Sequence, residues 1–147
     1  MKMKILIDAD GCPVVDITVR TARKYQKECI IICDTAHSIY RDGAETIIVD
    51  KGADSADYRL VNLVNTGDIV VTQDYGLAAM CLSKQALILN QDGKRYSDEN
   101  INGLLEFRAV SAKIRRSGGR TKGPSKRTPQ QNADFERALE QLVQKSV

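Results

Sequence analysis

Aspartates recur where apolar runs of this chain stop. Asp8 and Asp10 follow Ile5-Leu6-Ile7, Asp74 comes just after Ile69-Val70-Val71, and Asp54 and Asp57 stand three apart at the entrance of a helical pattern. Residues three apart share one helix face. Carboxylates brought together repel and push at least one of their number toward staying protonated. A divalent cation removes that conflict, and hard ions such as Mg²⁺ or Mn²⁺ prefer carboxylate and water oxygens. One or two such ions can activate a water and stabilise the leaving oxygen of a phosphodiester. The competing explanation is helix capping, where an aspartate is worth about 1 kcal/mol. It suffices for Asp10, Asp54 or Asp74 taken singly. For a set that ends two strands and opens a helix, metal binding is the better reading. His37 follows Cys33 by four residues, but no second histidine completes a zinc-type set, and His37 is assigned no role.

Such a cluster needs elements to hold it. Ile5-Leu6-Ile7, Ile30-Ile31-Ile32, Thr46-Ile47-Ile48-Val49, Ile69-Val70-Val71 and Ala86-Leu87-Ile88-Leu89 read as five buried strands. Between them lie helical stripes. Pro13 opens one in which Val15, Val19, Ala22 and Tyr25 share a face opposite Asp16, Arg20, Arg23 and Lys24, to about Lys27. Asp54 or Ser55 caps a second, with Leu60, Leu63 and Val64, that Gly67 ends. Leu77 to Leu82 looks helical, and Ser97 to Asn100 opens a helix through Ile101, Leu104 and Leu105. Strands alternating with helices imply βαβ units and a parallel sheet. In such sheets ligands bind at the carboxyl ends of the strands, where strand order reverses. If the first and fourth strands flank that point, Asp8 and Asp74 face each other.

The charge is unevenly placed. The net charge of +3 resolves into −3 over residues 1–110, +7 over 111–127 and −1 over 128–147. Lys113, Arg115, Arg116, Arg120, Lys122, Lys126 and Arg127 fall among Gly118-Gly119, Gly123-Pro124 and Pro129, so the stretch from about 111 to 129 is expected to be a loop. Its cations could contact phosphates, which dominate non-specific nucleic-acid affinity; no aromatic residue interleaves them for base stacking. Thr128-Pro129-Gln130-Gln131 matches a capping box with proline at the first helical position. A C-terminal helix over about 130–145 then buries Phe135, Leu139, Leu142 and Val143.

Four blocks carry a family resemblance. Ile7-Asp8-Ala9-Asp10-Gly11-Cys12-Pro13 closely resembles the opening of the YaiI/YqxD family of bacterial PIN-like proteins. Gly52-Ala53-Asp54-Ser55-Ala56-Asp57, Val71-Thr72-Gln73-Asp74-Tyr75-Gly76-Leu77-Ala78 and Gly119-Arg120-Thr121-Lys122-Gly123-Pro124 are similar to its other blocks, across nearly the whole chain. The resemblance implies one three-layer PIN-like (Rossmann-like) α/β domain over 1–147, with a mainly parallel sheet of about five strands and a C-terminal helix. It also implies an acidic site of Asp8, Asp10, Asp54, Asp57 and Asp74. Of these, Asp8 and Asp74 with Asp54 or Asp57 would hold Mg²⁺ or Mn²⁺ for cleavage of RNA, DNA being a possible second substrate. PIN-like domains commonly associate, so a homo-oligomer fits. Asn90-Gln91-Asp92-Gly93 departs from the pattern, with Asp92 where relatives commonly carry arginine; Asp-Gly there reads as a turn.

Two other readings compete. Asp8-Ala9-Asp10 after a buried strand also resembles the Asp-x-Asp of haloacid-dehalogenase-type phosphatases, with Asp8 as nucleophile, but Cys12 stands where that family usually carries threonine or valine. A non-catalytic nucleic-acid-binding or regulatory module could keep the same acidic pocket.

The totals fit a soluble enzyme or binding domain. At 147 residues, with 42% hydrophobic and 28% charged, the composition is ordinary for one globular domain. The longest apolar run, Leu77 to Leu82, is far below the ~20 residues of a membrane span, and no secretory apolar region follows the N-terminal lysines. A cytoplasmic protein is expected, with Cys12, Cys29, Cys33 and Cys81 as buried, unpaired thiols.

Overall fold

The computed structural model describes residues 2–50, 55–118 and 126–145. Asp54, Arg120 and Lys122, three of the residues expected at the site, lie outside them.

The sheet is built from the apolar runs. β1 (Lys4–Asp8), β2 (Glu28–Asp34), β3 (Glu45–Val49), β4 (Ile69–Val71) and β5 (Leu87–Leu89) are parallel, and β6 (Arg95–Tyr96) pairs antiparallel to β5. The order is β3-β2-β1-β4-β5-β6. Strand order therefore reverses between β1 and β4, with Ile5 beside Ile69 and Ile7 beside Val71. The sequence reading missed β6, since two residues make no apolar run. It forms because Gly93 turns the chain at a φ of +84°, where the Asn90 side chain accepts from the Asp92 and Lys94 amides. The turn reading of Asp92-Gly93 agrees with that hairpin. Gly93 is also needed for space, since a Cβ would come within 2.8 Å of the Asp134 carbonyl.

Alternation along the strands splits the core into two layers. Ile5, Ile7, Cys29, Ile31, Cys33, Val71 and Leu89 face α1 (Val15–Lys24) and α5 (Pro129–Lys145). Leu6, Ile30, Ile32, Val70 and Ile88 face α2 (Ser55–Leu63), α3 (Tyr75–Leu82) and α4 (Ile101–Arg116). This is the three-layer α/β architecture with a mainly parallel sheet and a C-terminal helix that the resemblance implied. Cys29 and Cys33 share a face, as their spacing requires, and all four cysteines are free.

The C-terminal helix is held at its start and along its length. The capping box forms: the Thr128 amide donates to Gln131 Oε1 at 2.7 Å, and the Gln131 amide to Thr128 Oγ1 at 3.3 Å. Arg20–Glu136 and Lys24–Glu140 ion pairs tie α5 to the outer side of α1. The loop expected from residue 111 starts later, because α4 continues to Arg116 and Ser117 caps it. Lys113, Arg115 and Arg116 are therefore helical. Alternating Ala112, Lys113, Arg115 and Arg116 are good helix formers, and cations in the last turn suit the negative end of the helix dipole.

Candidate functional site

The reversal of strand order places two aspartates side by side. Asp8 ends β1, and Asp74 follows β4 as the N-cap of α3, its Oδ1 accepting from the Gly76 and Leu77 amides at 2.8 and 3.1 Å. Between them sits Thr72, 1% exposed. Its hydroxyl donates to Asp8 Oδ2 at 2.7 Å and accepts from the Asp74 amide at 3.0 Å. One buried hydroxyl thus sets both acids. The Tyr96 hydroxyl in turn donates to the Thr72 carbonyl at 3.2 Å, so the edge hairpin braces this corner.

Around this pair lies an open cavity of about 530 Å³, lined by Asp8, Asp10, Ala56, Asp57, Gln73, Asp74, Tyr75 and Arg108. All four described aspartates expected at the site are therefore brought together. Asp57 comes from the first turn of α2, and Gln73 is tied to the β1–α1 loop by donating to the Gly11 carbonyl at 2.8 Å. Burial pushes the Asp8 carboxyl above its ordinary range; the Thr72 hydrogen bond pulls it partly back, and Asp74 and Asp10 push it up again. Asp10 is also raised, by desolvation and then by Asp34. Its oxygens accept from the Asp34 amide at 3.2 and 3.4 Å. Asp10 does not cap α1, whose N-cap Val14 has no side-chain bond. For Asp74 capping and site placement coexist.

Three residues of the site escaped the sequence reading. Asp34 ends β2 and, with Asp10 and His37, forms the one trio among the described residues whose ligand atoms all lie within 4.8 Å. The signal was present, since Asp34 follows an apolar strand just as Asp8 does. His37 Nδ1 stands 3.1 Å from Asp34 Oδ1 and 3.8 Å from Asp10 Oδ1. Thr72 looked like the end of a strand and nothing more. Arg108, reaching Asp74 Oδ1 at 3.3 Å from α4, had no local signal.

Of the basic residues, Lys113, Arg115, Arg116 and Lys126 are exposed. Arg127 is engaged in structure instead: it donates to Asp92 at 2.9 Å, to the Gln91 carbonyl and to Asn132, joining the β5–β6 turn to the start of α5. Burial pushes the half-buried Cys12 thiol up to about 11, which disfavours the thiolate at neutral pH.

The family model described as "Uncharacterized BCR, YaiI/YqxD family" matches residues 6–145. The chain belongs to the YaiI/YqxD family. Relatives in it are the "UPF0178 protein" of Exiguobacterium sibiricum, 52% identical over 96% of both chains, and that of Ruminiclostridium cellulolyticum, 54% identical over 93% of this chain and 90% of the other. That of Enterococcus faecalis is 45% identical over 99% of this chain and all of the other. Among solved structures, that of Rae1 (YacP) from Bacillus subtilis aligns over the full length of both chains at 14% identity, with a TM-score of 0.45. No helix among the described residues is long and apolar enough to cross a membrane.

Proposed function

We propose that this YaiI/YqxD protein is a divalent-metal-dependent nuclease acting on RNA, with its site at the β1–β4 edge. The observation that supports it best is the Asp8–Thr72–Asp74 arrangement, in which neighbouring parallel strands deliver two carboxylates, linked by one hydroxyl, into an open acidic cavity.

The donor set fits a hard cation. Among the described residues Asp8, Asp10, Asp57 and Asp74 line the cavity with Arg108 as the one lining cation, so carboxylate oxygens are in excess there. Asp8 and Asp74, with Asp57 from α2, would hold Mg²⁺ or Mn²⁺. When bound, such an ion lowers the pKa of a water and stabilises a leaving phosphodiester oxygen. The protein's own groups do the positioning. Thr72 fixes the Asp8 carboxylate, and the α3 N-terminus fixes that of Asp74. Arg108 presents a guanidinium fork suited to a phosphate, and Lys113, Arg115 and Arg116 extend positive charge along the same helix. Asp10, held by the Asp34 amide, lies within reach of the same space and suits the handling of a proton.

The test is calorimetric titration of Mn²⁺ and Mg²⁺ into the parent protein and Asp8→Asn/Asp74→Asn, followed by RNA cleavage with Mn²⁺. Asparagine also caps helices, so the double variant keeps α3. Saturable binding lost in the folded variant, together with metal-dependent cleavage, is the expected result. Metal affinity unchanged in the double variant would refute the site. RNA binding that weakens with salt, without turnover under any divalent ion, would move the protein to a non-catalytic RNA-binding role.

A further inference from the structure

α4 is apolar on the side that faces away from the sheet. Its inner side is seated through Ile101, which is buried, and through Leu104 and Leu105, which are half-buried. On its outer side Phe107, Val110 and Ile114 are 66%, 51% and 40% exposed. With Gly103 they are spaced four, three and four apart, which is the a/d spacing of a helix that packs against another helix. Gly103 adds a gap in that face, since a Cβ there would meet nothing within 4 Å.

The row is complementary to itself when reversed. Laid antiparallel against a second copy of α4, Phe107 of each chain meets Val110 of the other, and Ile114 of each enters the gap at Gly103 of the other. The flanking charges agree with that register. Glu106 and Lys113 both occupy the position preceding an a residue, and in an antiparallel pair these positions face one another. Glu106 therefore meets Lys113 of the second copy on both sides of the axis. A parallel pair would instead set Glu106 against Ser111 and Lys113 against Gly118 of the other chain, with no charge match. Neither Glu106 nor Lys113 has an ion-pair partner among the described residues. We propose that the outer face of α4 is the interface of a two-fold symmetric homodimer, in which Phe107, Val110 and Ile114 pack against their counterparts and Glu106 pairs with Lys113 of the other copy.

Such an interface is isologous and closes on itself, so it makes dimers and not filaments. A helix of 16 residues spans only ~24 Å, which places the contact area at the small end of specific interfaces and makes the association reversible. Arg108 stands two residues from Val110 on the same helix, so pairing holds in place the element that carries the guanidinium to Asp74.

Sedimentation equilibrium of the full chain in the micromolar range tests this, with circular dichroism as a check on folding. The parent is expected to show a monomer–dimer equilibrium. Val110→Glu, at an exposed position, is expected to be a folded monomer. Glu106→Lys and Lys113→Glu should each weaken the dimer severalfold, and the double variant Glu106→Lys/Lys113→Glu should restore it. A parent that stays monomeric across the range overturns the proposal. So does a dimer that survives Val110→Glu, since it would use another face, and so does a double variant that fails to recover.

Discussion

α4 and α5 are of nearly equal length, 16 and 17 residues, and both carry a row of large apolar side chains, yet they use it oppositely. α5 presses Phe135, Leu139, Leu142 and Val143 onto the sheet, none more than 6% exposed, and adds a capping box and two ion pairs to α1. α4 rests on Ile101 and its neighbours and leaves Phe107, Val110 and Ile114 outside. α5 holds the fold, whereas α4 carries the groups that face outward: Arg108 toward the acids, basic residues toward solvent and an apolar row toward a partner. An apolar stripe tells that a helix packs; it does not tell against what.

Substitutions should separate the two helices sharply. Leu139→Ala leaves a cavity in a fully buried site and is expected to cost about 2–5 kcal/mol in urea denaturation. Phe107→Ala, in protein dilute enough to be monomeric, should cost under about 0.5 kcal/mol. Similar losses for the two would mean that the α4 row is covered within one chain.

Thr128→Ala removes half of the capping box and should cost about 1 kcal/mol. No comparable cap exists on α4, whose Asn100 side chain instead accepts from the Ser97 amide and donates to the Arg95 carbonyl.

The acid corner should behave in the opposite sense. Asp8 binds its proton more tightly folded than unfolded, because burial, offset in part by Thr72, raises its pKa, with Asp74 and Asp10 adding to the rise. Its contribution to stability is therefore full below its ordinary value of 3.8 and lost as pH rises through the raised value. Asp8→Asn removes that loss. The metal-free variant should thus melt higher than the parent at neutral pH and match it in acid, a smaller effect than the loss of Leu139. A lower melting temperature at neutral pH would make Asp8 a structural residue.

The smallest stability effect is expected from Arg108→Gln, within about 0.5 kcal/mol, as for an exposed ion pair. Its consequence should appear in binding. Mn²⁺ affinity measured by calorimetry should rise, since Asp74 loses its competing cation, while RNA affinity should fall. No change in either would leave Arg108 outside the site.

Much of this protein was legible in its residues. The five parallel strands, the buried faces of α1 and α5, the capping box at Thr128 and the aspartates ending β1 and following β4 all follow from local pattern, because period, capping and strand termination are properties of neighbours in sequence. The sequence also contained Asp34, by the same strand-end signal that marked Asp8. What it could not contain was adjacency. That β1 lies against β4, so that Thr72 can hold Asp8 and Asp74 together, depends on strand order. That Arg108 reaches Asp74 across 34 positions, that Arg127 is taken up by Asp92, and that one apolar row is covered while another is left outside are likewise settled only when the layers pack. Local pattern decides which face of an element is apolar, and only the packed layers decide what that face meets.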